Sequence, residues 1–140
     1  EIIRSVCLEA VDSNVDTLIV GVQHHIYTVL SITVQAQALN ADRDYVRCYL
    51  VGYDSNAGTT AQDIVIFRQD LSVEQTFVWG DKFSFNGYEP VDFTGPMDNA
   101  TKQDAIADQG SSVAQKLHIH AEHGSDNLDV TCTFIDQNNA

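Results

Sequence analysis

The densest run of metal-ligating side chains in the sequence is Leu117-His118-Ile119-His120-Ala121-Glu122-His123. Residues two apart on a strand share a face, so His118, His120 and Glu122 would project together as two imidazoles and a carboxylate, a donor set suited to zinc. The same spacing has a plainer consequence. Lys116, His118, His120 and Glu122 form the polar face of an amphipathic strand whose other face is Leu117, Ile119 and Ala121. The plainer reading is adopted, so no metal or other cofactor is assigned. His118, His120 and Glu122 remain the residues that would hold an ion, for instance one shared across an oligomer axis. His24 and His25 are adjacent and would face opposite sides of a strand, so they cannot serve one site. The runs Asp12-Ser13-Asn14-Val15-Asp16 and Asp54-Ser55-Asn56 echo calcium-loop spacing but lack the required Gly and terminal Glu. They read as turns, where Asp and Asn side chains bond their own backbone. Tyr45, Arg47, Tyr49 and Tyr53 alternate on one strand face, as a platform for a sugar or a protein, or as the inside of a second sheet.

Nucleophile chemistry has no support. No Ser sits in a GxSxG turn, no Gly-rich stretch matches GxGxxG or a phosphate loop, and no Cys has the flanking residues of a thiol protease. The chain is therefore expected to have no catalytic residues. Twenty acidic against seven basic residues give a net charge of -13, which repels nucleic-acid phosphates and anionic lipid surfaces. Neither nucleic acid nor membrane is expected as a partner. No apolar run approaches the ~20 residues of a membrane span, and the first ten residues lack a signal peptide's basic and apolar regions. A soluble protein is expected. Because residue 1 is Glu, a segment ahead of it is expected to have been removed or processed. Cys7, Cys48 and Cys132 are odd in number and far apart, and Cys48 and Cys132 sit among apolar residues. They read as reduced, inert thiols.

Period two dominates the elements that would position these residues. Ile26, Thr28, Leu30, Ile32, Val34, Ala36 and Ala38 form one face of a long strand, with Ser31, Thr33, Gln35 and Gln37 on the other. Val46, Cys48 and Leu50 continue the alternation after a turn at 40–44, which predicts a hairpin. Short strands follow at 64–67, 71–79 and 82–85. Near the end, Leu117, Ile119 and Ala121 pair with Leu128, Val130, Cys132 and Phe134 across an HGSDN turn. Strands over 2–8 and 17–22 bring the number to eight or nine. The segment 86–112 is too long for a plain connection; Thr101 and Asp104 suggest a helix cap, with one helical turn at 105–107. Its Tyr88, Val91, Phe93, Met97 and Ile106 are more apolar than a solvated loop requires, which predicts that this segment, with the terminal strand at 1–10, is where the subunit meets its neighbours. With 44% apolar and 19% charged residues over 140 positions, one all-β domain is expected: an antiparallel, jelly-roll-like β-sandwich over 1–140 with one long loop.

The stretches TLIVGVQHHIYTVLSITVQAQ, YVRCYLVGY, DIVIFRQDLSVEQTFVWGDKFSF and SSVAQKLHIHAEHGSDNLDVTCTFID, in that order, resemble the small β-sandwich virion proteins of tailed bacteriophages. The resemblance covers roughly 17–136 and lies in diffuse patterns rather than fixed residues, and the 86–112 insertion departs from the shortest members. It implies a capsid decoration (cement) protein, or a related tail or fibre subunit. Such a protein binds a major capsid or tail protein, forms a homo-oligomer and resides in the virion after assembly in the host cytoplasm. Two other classes compete. A carbohydrate-binding sandwich would use the tyrosines and the long loop. A cupin-like metal protein would use His118 and His120, although the cupin pattern needs a later Glu and an earlier Gly than Glu122 and Gly110 supply.

Overall fold

In a computed structural model, residues 1–90 and 113–138 are described. Their strands are β1 (Ile2–Val11), β2 (Asp16–Val20), β3 (His25–Ala38), β4 (Asp44–Asp54), β5 (Thr59–Leu71), β6 (Thr76–Trp79), β7 (Phe83–Asn86), β8 (Lys116–Ala121) and β9 (Asn127–Asn138). The first sheet has the order β1-β9-β3-β6, with β7 also on β3, and the second has β2-β8-β4-β5. All pairings are antiparallel. β6 pairs with Ile32–Gln35 and β7 with Ile26–Val29, so the two are successive parts of one edge strand.

Counting β6 and β7 as one strand reveals the plan. β1 pairs with β9, β2 with β8, β3 with β6/β7, and β4 with β5, which is one long hairpin of nested pairs. Rolling that hairpin sets β3 beside β9 and β4 beside β8 and produces two facing sheets. This is the eight-stranded jelly roll, and the all-β sandwich expected from the alternation is the observed fold.

The core lies between the sheets. Val29, Ile32, Val34, Val130 and Cys132 from the first sheet meet Val46, Cys48, Leu117, Ile119 and Ala121 from the second, each at most 1% exposed. An aromatic row, Tyr27, Phe85, Phe83, Trp79, Phe67 and Phe77, runs beside the β6/β7 edge with successive ring centroids 5.2 to 6.3 Å apart. Cys48 and Cys132 are buried and Cys7 is exposed; all three are free thiols. Burial pushes the Cys48 thiol far up and that of Cys132 up to about 12, so both are held neutral.

Three expectations are corrected. β3 and β4 lie in different sheets and are not a hairpin, and the same holds for β8 and β9. Both turns are arches from one sheet to the other. Along β3 the apolar face changes parity: Tyr27 and Val29 are buried, whereas Ile26, Thr28 and Leu30 are not. A register shift between Val29 and Ser31 against β9 inserts one residue and turns the earlier half of the strand over. The strand expected at 64–67 is the middle of the 13-residue β5, and that expected at 71–79 begins only at Thr76.

Of the segment 86–112, residues 91–112 lie outside the described residues, and with them the expected helical turn and Val91, Phe93, Met97 and Ile106. Its neck is described. Tyr88 bridges to Ala114, the Glu89 N–H donates to the Val113 carbonyl at 2.9 Å, and the Gln115 N–H donates to the Gly87 carbonyl at 2.8 Å. A Cβ on Gly21 would sit 1.8 Å from the Gly87 carbonyl oxygen, and one on Gly87 would sit 2.1 Å from that of Val22. The neck is thus packed backbone to backbone against the end of β2.

Candidate functional site: the outer face of the second sheet

Register assembles this face across three strands. On β4, Val46, Cys48 and Leu50 point into the core, so Tyr45, Arg47, Tyr49 and Val51 point outward. Directly opposite them β8 places His120 beside Arg47, His118 beside Tyr49 and Lys116 beside Val51. On the other flank β5 places Asp70 beside Tyr45, Arg68 beside Arg47, Val65 beside Tyr49 and Asp63 beside Val51. One row therefore reads His120, Arg47, Arg68. Two guanidinium groups sit opposite each other across strands, an arrangement that repels unless each is otherwise held. The tyrosines hold them: Arg47 lies 4.3 Å from the Tyr49 ring centre and Arg68 4.1 Å from that of Tyr45. Arg47 also reaches Asp63 at 3.5 Å.

His118 and His120 do share a face, as the spacing predicts. Each has a local partner, however. His118 Nδ1 is 3.0 Å from Thr17 Oγ1, and its ring packs 5.5 Å from Tyr49. His120 Nδ1 is 2.9 Å from the Ala121 carbonyl, placed to donate to it, and its ring meets Tyr45 and Tyr49 edge-on. Burial lowers the pKa of His118, favouring neutral imidazole. Glu122 leaves the pair, because β8 ends at Ala121 and the Glu122 carboxylate accepts the Tyr45 N–H at 3.2 Å. The expected platform of tyrosines is also altered. Guanidinium groups cover the rings of Tyr45 and Tyr49, and Tyr49 is only 8% exposed.

Glu122 instead joins Asp44 and His123, whose ligand atoms all lie within 4.8 Å of one another. This cluster sits where the β3–β4 and β8–β9 arches meet. Buried Asp44 accepts the Ala41 N–H at 3.2 Å and a bond from His123 Nδ1 at 3.0 Å. Buried Asp126 accepts the N–H groups of Asn40 at 2.7 Å and His123 at 2.9 Å. The two carboxyl groups also influence each other's ionisation. Burial pushes Asp44 up, but hydrogen bonds from Asp126, Ala41 and His123 outweigh it and hold Asp44 low. Burial, reinforced by Asp44, raises Asp126. The two shifts run in opposite directions, so the charged form is favoured at Asp44, which faces His123, and disfavoured at Asp126. The chemistry of this cluster is that of a latch tying two arches together.

A second group escapes sequence reasoning. Asp136, 4% exposed, takes Arg4 at 2.9 Å and His25 Nδ1. His25 was legible only as half of an adjacent pair, and nothing near it in sequence announces Asp136. At the same side of the sandwich a 360 Å³ cavity opens between β1 and β2, lined by Arg4, Val6, Leu18, Val22, Tyr27 and Phe134 among others.

No family model and no curated relative matches the chain. Three chains of solved structures do. One belongs to a structure of the infectious bursal disease virus Gx strain; it is 8% identical, with a TM-score of 0.38 over the whole of this chain and 33% of that one. The chain thus spans about a third of the length of that structural neighbour.

Proposed function

We propose that the chain is a virion structural protein, a capsid decoration (cement) subunit or a related tail or fibre subunit, which acts by binding other virion proteins and not by catalysis. The observation that carries this reading is the β1–β2 margin of the sandwich. There the outermost strands of both sheets lie side by side around the 360 Å³ cavity. Ile2, Ile3, Val20 and Val22 are 60%, 69%, 55% and 49% exposed along it. An open strand edge in water is normally guarded by charge or proline, because it offers a template for pairing. Beside Arg4 this margin exposes isoleucine and valine, which is the composition of a surface that another protein covers. The neck of the 91–112 segment, with Tyr88, adds a second contact. Three free thiols suit assembly in a host cytoplasm. Of the tyrosines the carbohydrate reading uses, Tyr45 and Tyr49 have a ring face covered by a guanidinium group, which favours the assembly reading.

Cosedimentation with particles stripped of this chain tests the proposal. The intact chain is expected to rebind. A variant with 91–112 replaced by Gly-Gly, and a variant carrying Ile2→Asp and Ile3→Asp, are expected to stay folded by circular dichroism and to remain in the supernatant. Failure of the intact chain to rebind, or of mass spectrometry to find it in purified particles, overturns the reading.

A further inference from the structure

The outer face of the second sheet differs from the rest of this acidic surface. It holds Arg47, Arg68 and Lys116, three of the chain's seven basic residues. Asp63 and Asp70 lie on the same face by register, and at its arch end the Glu122 carboxylate reaches the Tyr45 N–H, next to Asp70. Three positive and three negative groups leave the face near neutral in a chain of net charge -13. Two copies of net charge -13 repel each other overall, and an approach through this near-neutral face brings the fewest like charges into contact.

The face also has the composition of an interface core. Tyrosine and arginine are the residues most enriched there, and Val20 and Val65, 55% and 49% exposed, stand on its outer strands β2 and β5. A guanidinium stacked on an aromatic ring keeps its N–H donors directed outward in the plane, where a carboxylate can take two of them. Arg68 makes that stack and has no carboxylate within ion-pair distance among the described residues. Among the described residues, the outer face of the first sheet offers no such guanidinium donors. Its hydroxyls bond one another across strands, Ser5 with Thr133 at 3.2 Å and Thr28 with Ser84 at 2.9 Å. The four strands hold 5, 6, 11 and 13 residues, which at about 3.3 Å per residue and about 4.8 Å between strands make a face of roughly 550 Å² in plan. With side-chain relief this approaches the roughly 800 Å² per partner of a standard interface.

We propose that two copies of this chain pack through the outer faces of their second sheets about a two-fold axis, with Arg47 and Arg68 of each laid against Asp63 and Asp70 of the other. A two-fold contact must be self-complementary, and this face carries both halves of the charge pattern itself. The dimer is the homo-oligomer of the assembly reading, but it forms from the chain alone, so its failure in solution and failure of particle binding are separate results.

Light scattering after size exclusion, at low ionic strength and tens of micromolar chain, is expected to give a dimer that dissociates as salt is raised. Arg47→Glu with Arg68→Glu should be monomeric, since the positions that meet Asp63 and Asp70 of the other copy then carry like charge and Lys116 is left as the face's one basic residue. Asp63→Lys with Asp70→Lys should be monomeric for the opposite reason. Mixing the two variants should restore a dimer with one copy of each, because every repulsive contact then becomes attractive. Circular dichroism, and the milder Arg47→Gln with Arg68→Gln pair, separate loss of association from loss of folding. A monomeric wild-type chain overturns the proposal, as does a dimer that survives the Arg-to-Glu changes or a mixture that stays monomeric.

Discussion

At the scale of single residues, the arch latch makes a prediction about protons. The Asp44 carboxylate accepts from His123 and raises its pKa above the ordinary value. A raised histidine contributes stability that is complete below its unfolded pKa and is lost as pH climbs through the folded one. Asp44 is depressed, so its contribution is present above the unfolded carboxylate value and is lost as pH falls through the folded one. Both partners are charged in the window between. An NMR titration of the His123 ring should therefore give a pKa above about 6.5, falling back toward it in Asp44→Asn. A wild-type value at or below 6.5 would sink the latch. Thiol reactivity provides a second check. Cys7 is exposed, whereas Cys48 and Cys132 are buried with raised pKa values. A thiol reagent should label one cysteine in the native protein and three in denaturant; rapid native labelling of all three would contradict the core.

Strands were the legible elements, and their partners were not. Alternation marked Leu117, Ile119 and Ala121, and Val130, Cys132 and Phe134, as two rows facing one core, and each of these six residues is at most 6% exposed. Phe134→Ala should cost about 3–5 kcal/mol and the exposed Thr131→Ala under about 1 kcal/mol, read from denaturant midpoints. Equal costs would mean that β9 packs by its other face. A hairpin and an arch have the same local signature, two alternating strands around a polar turn. Only contacts far away in sequence choose between them, so the β3–β4 and β8–β9 turns were misassigned. What pins both arches is Asp44 bonded to His123, 79 residues on. The parity change in β3 was hidden for a related reason. Ile26, Thr28 and Leu30 look as suited to a core face as Tyr27 and Val29 do, and the added residue shows only in the register with β9. The site was half legible. Tyr45, Arg47 and Tyr49 shared a face in sequence, but Arg68 joins them through a β4–β5 register that shifts between Cys48 and Tyr49. Glycines carry similar information without announcing it. Gly87→Ala would drive a Cβ into the Val22 carbonyl and should lower the melting temperature by many degrees, whereas Gly124→Ala, whose nearest neighbour is 3.6 Å away, should be tolerated.

At the scale of the whole molecule, charge sets how stability responds to solvent. Twenty acidic residues face seven basic ones, and among the described residues Lys and Arg ion pairs engage Asp136 and Asp63. Most carboxylates are therefore left to repel one another at distances near the Debye length, about 10 Å at 0.1 M salt and 3 Å at 1 M. Folding brings those charges closer than the unfolded chain does, so screening them should stabilise the folded state. A monomer studied below its association concentration should gain several degrees in melting temperature between 10 mM and 500 mM sodium chloride, corresponding to roughly 1–2 kcal/mol for a domain of this size. The dimer should respond in the opposite sense, because its Arg to Asp contacts weaken as salt rises. Salt titrations at two protein concentrations separate these effects. At low concentration the melting temperature should climb with salt. At high concentration the climb should be shallower, since each added increment of salt also removes some of the stabilisation that association supplies. A melting temperature that falls with salt at the lower concentration would show that ion pairing, and not repulsion, dominates the surface of this protein.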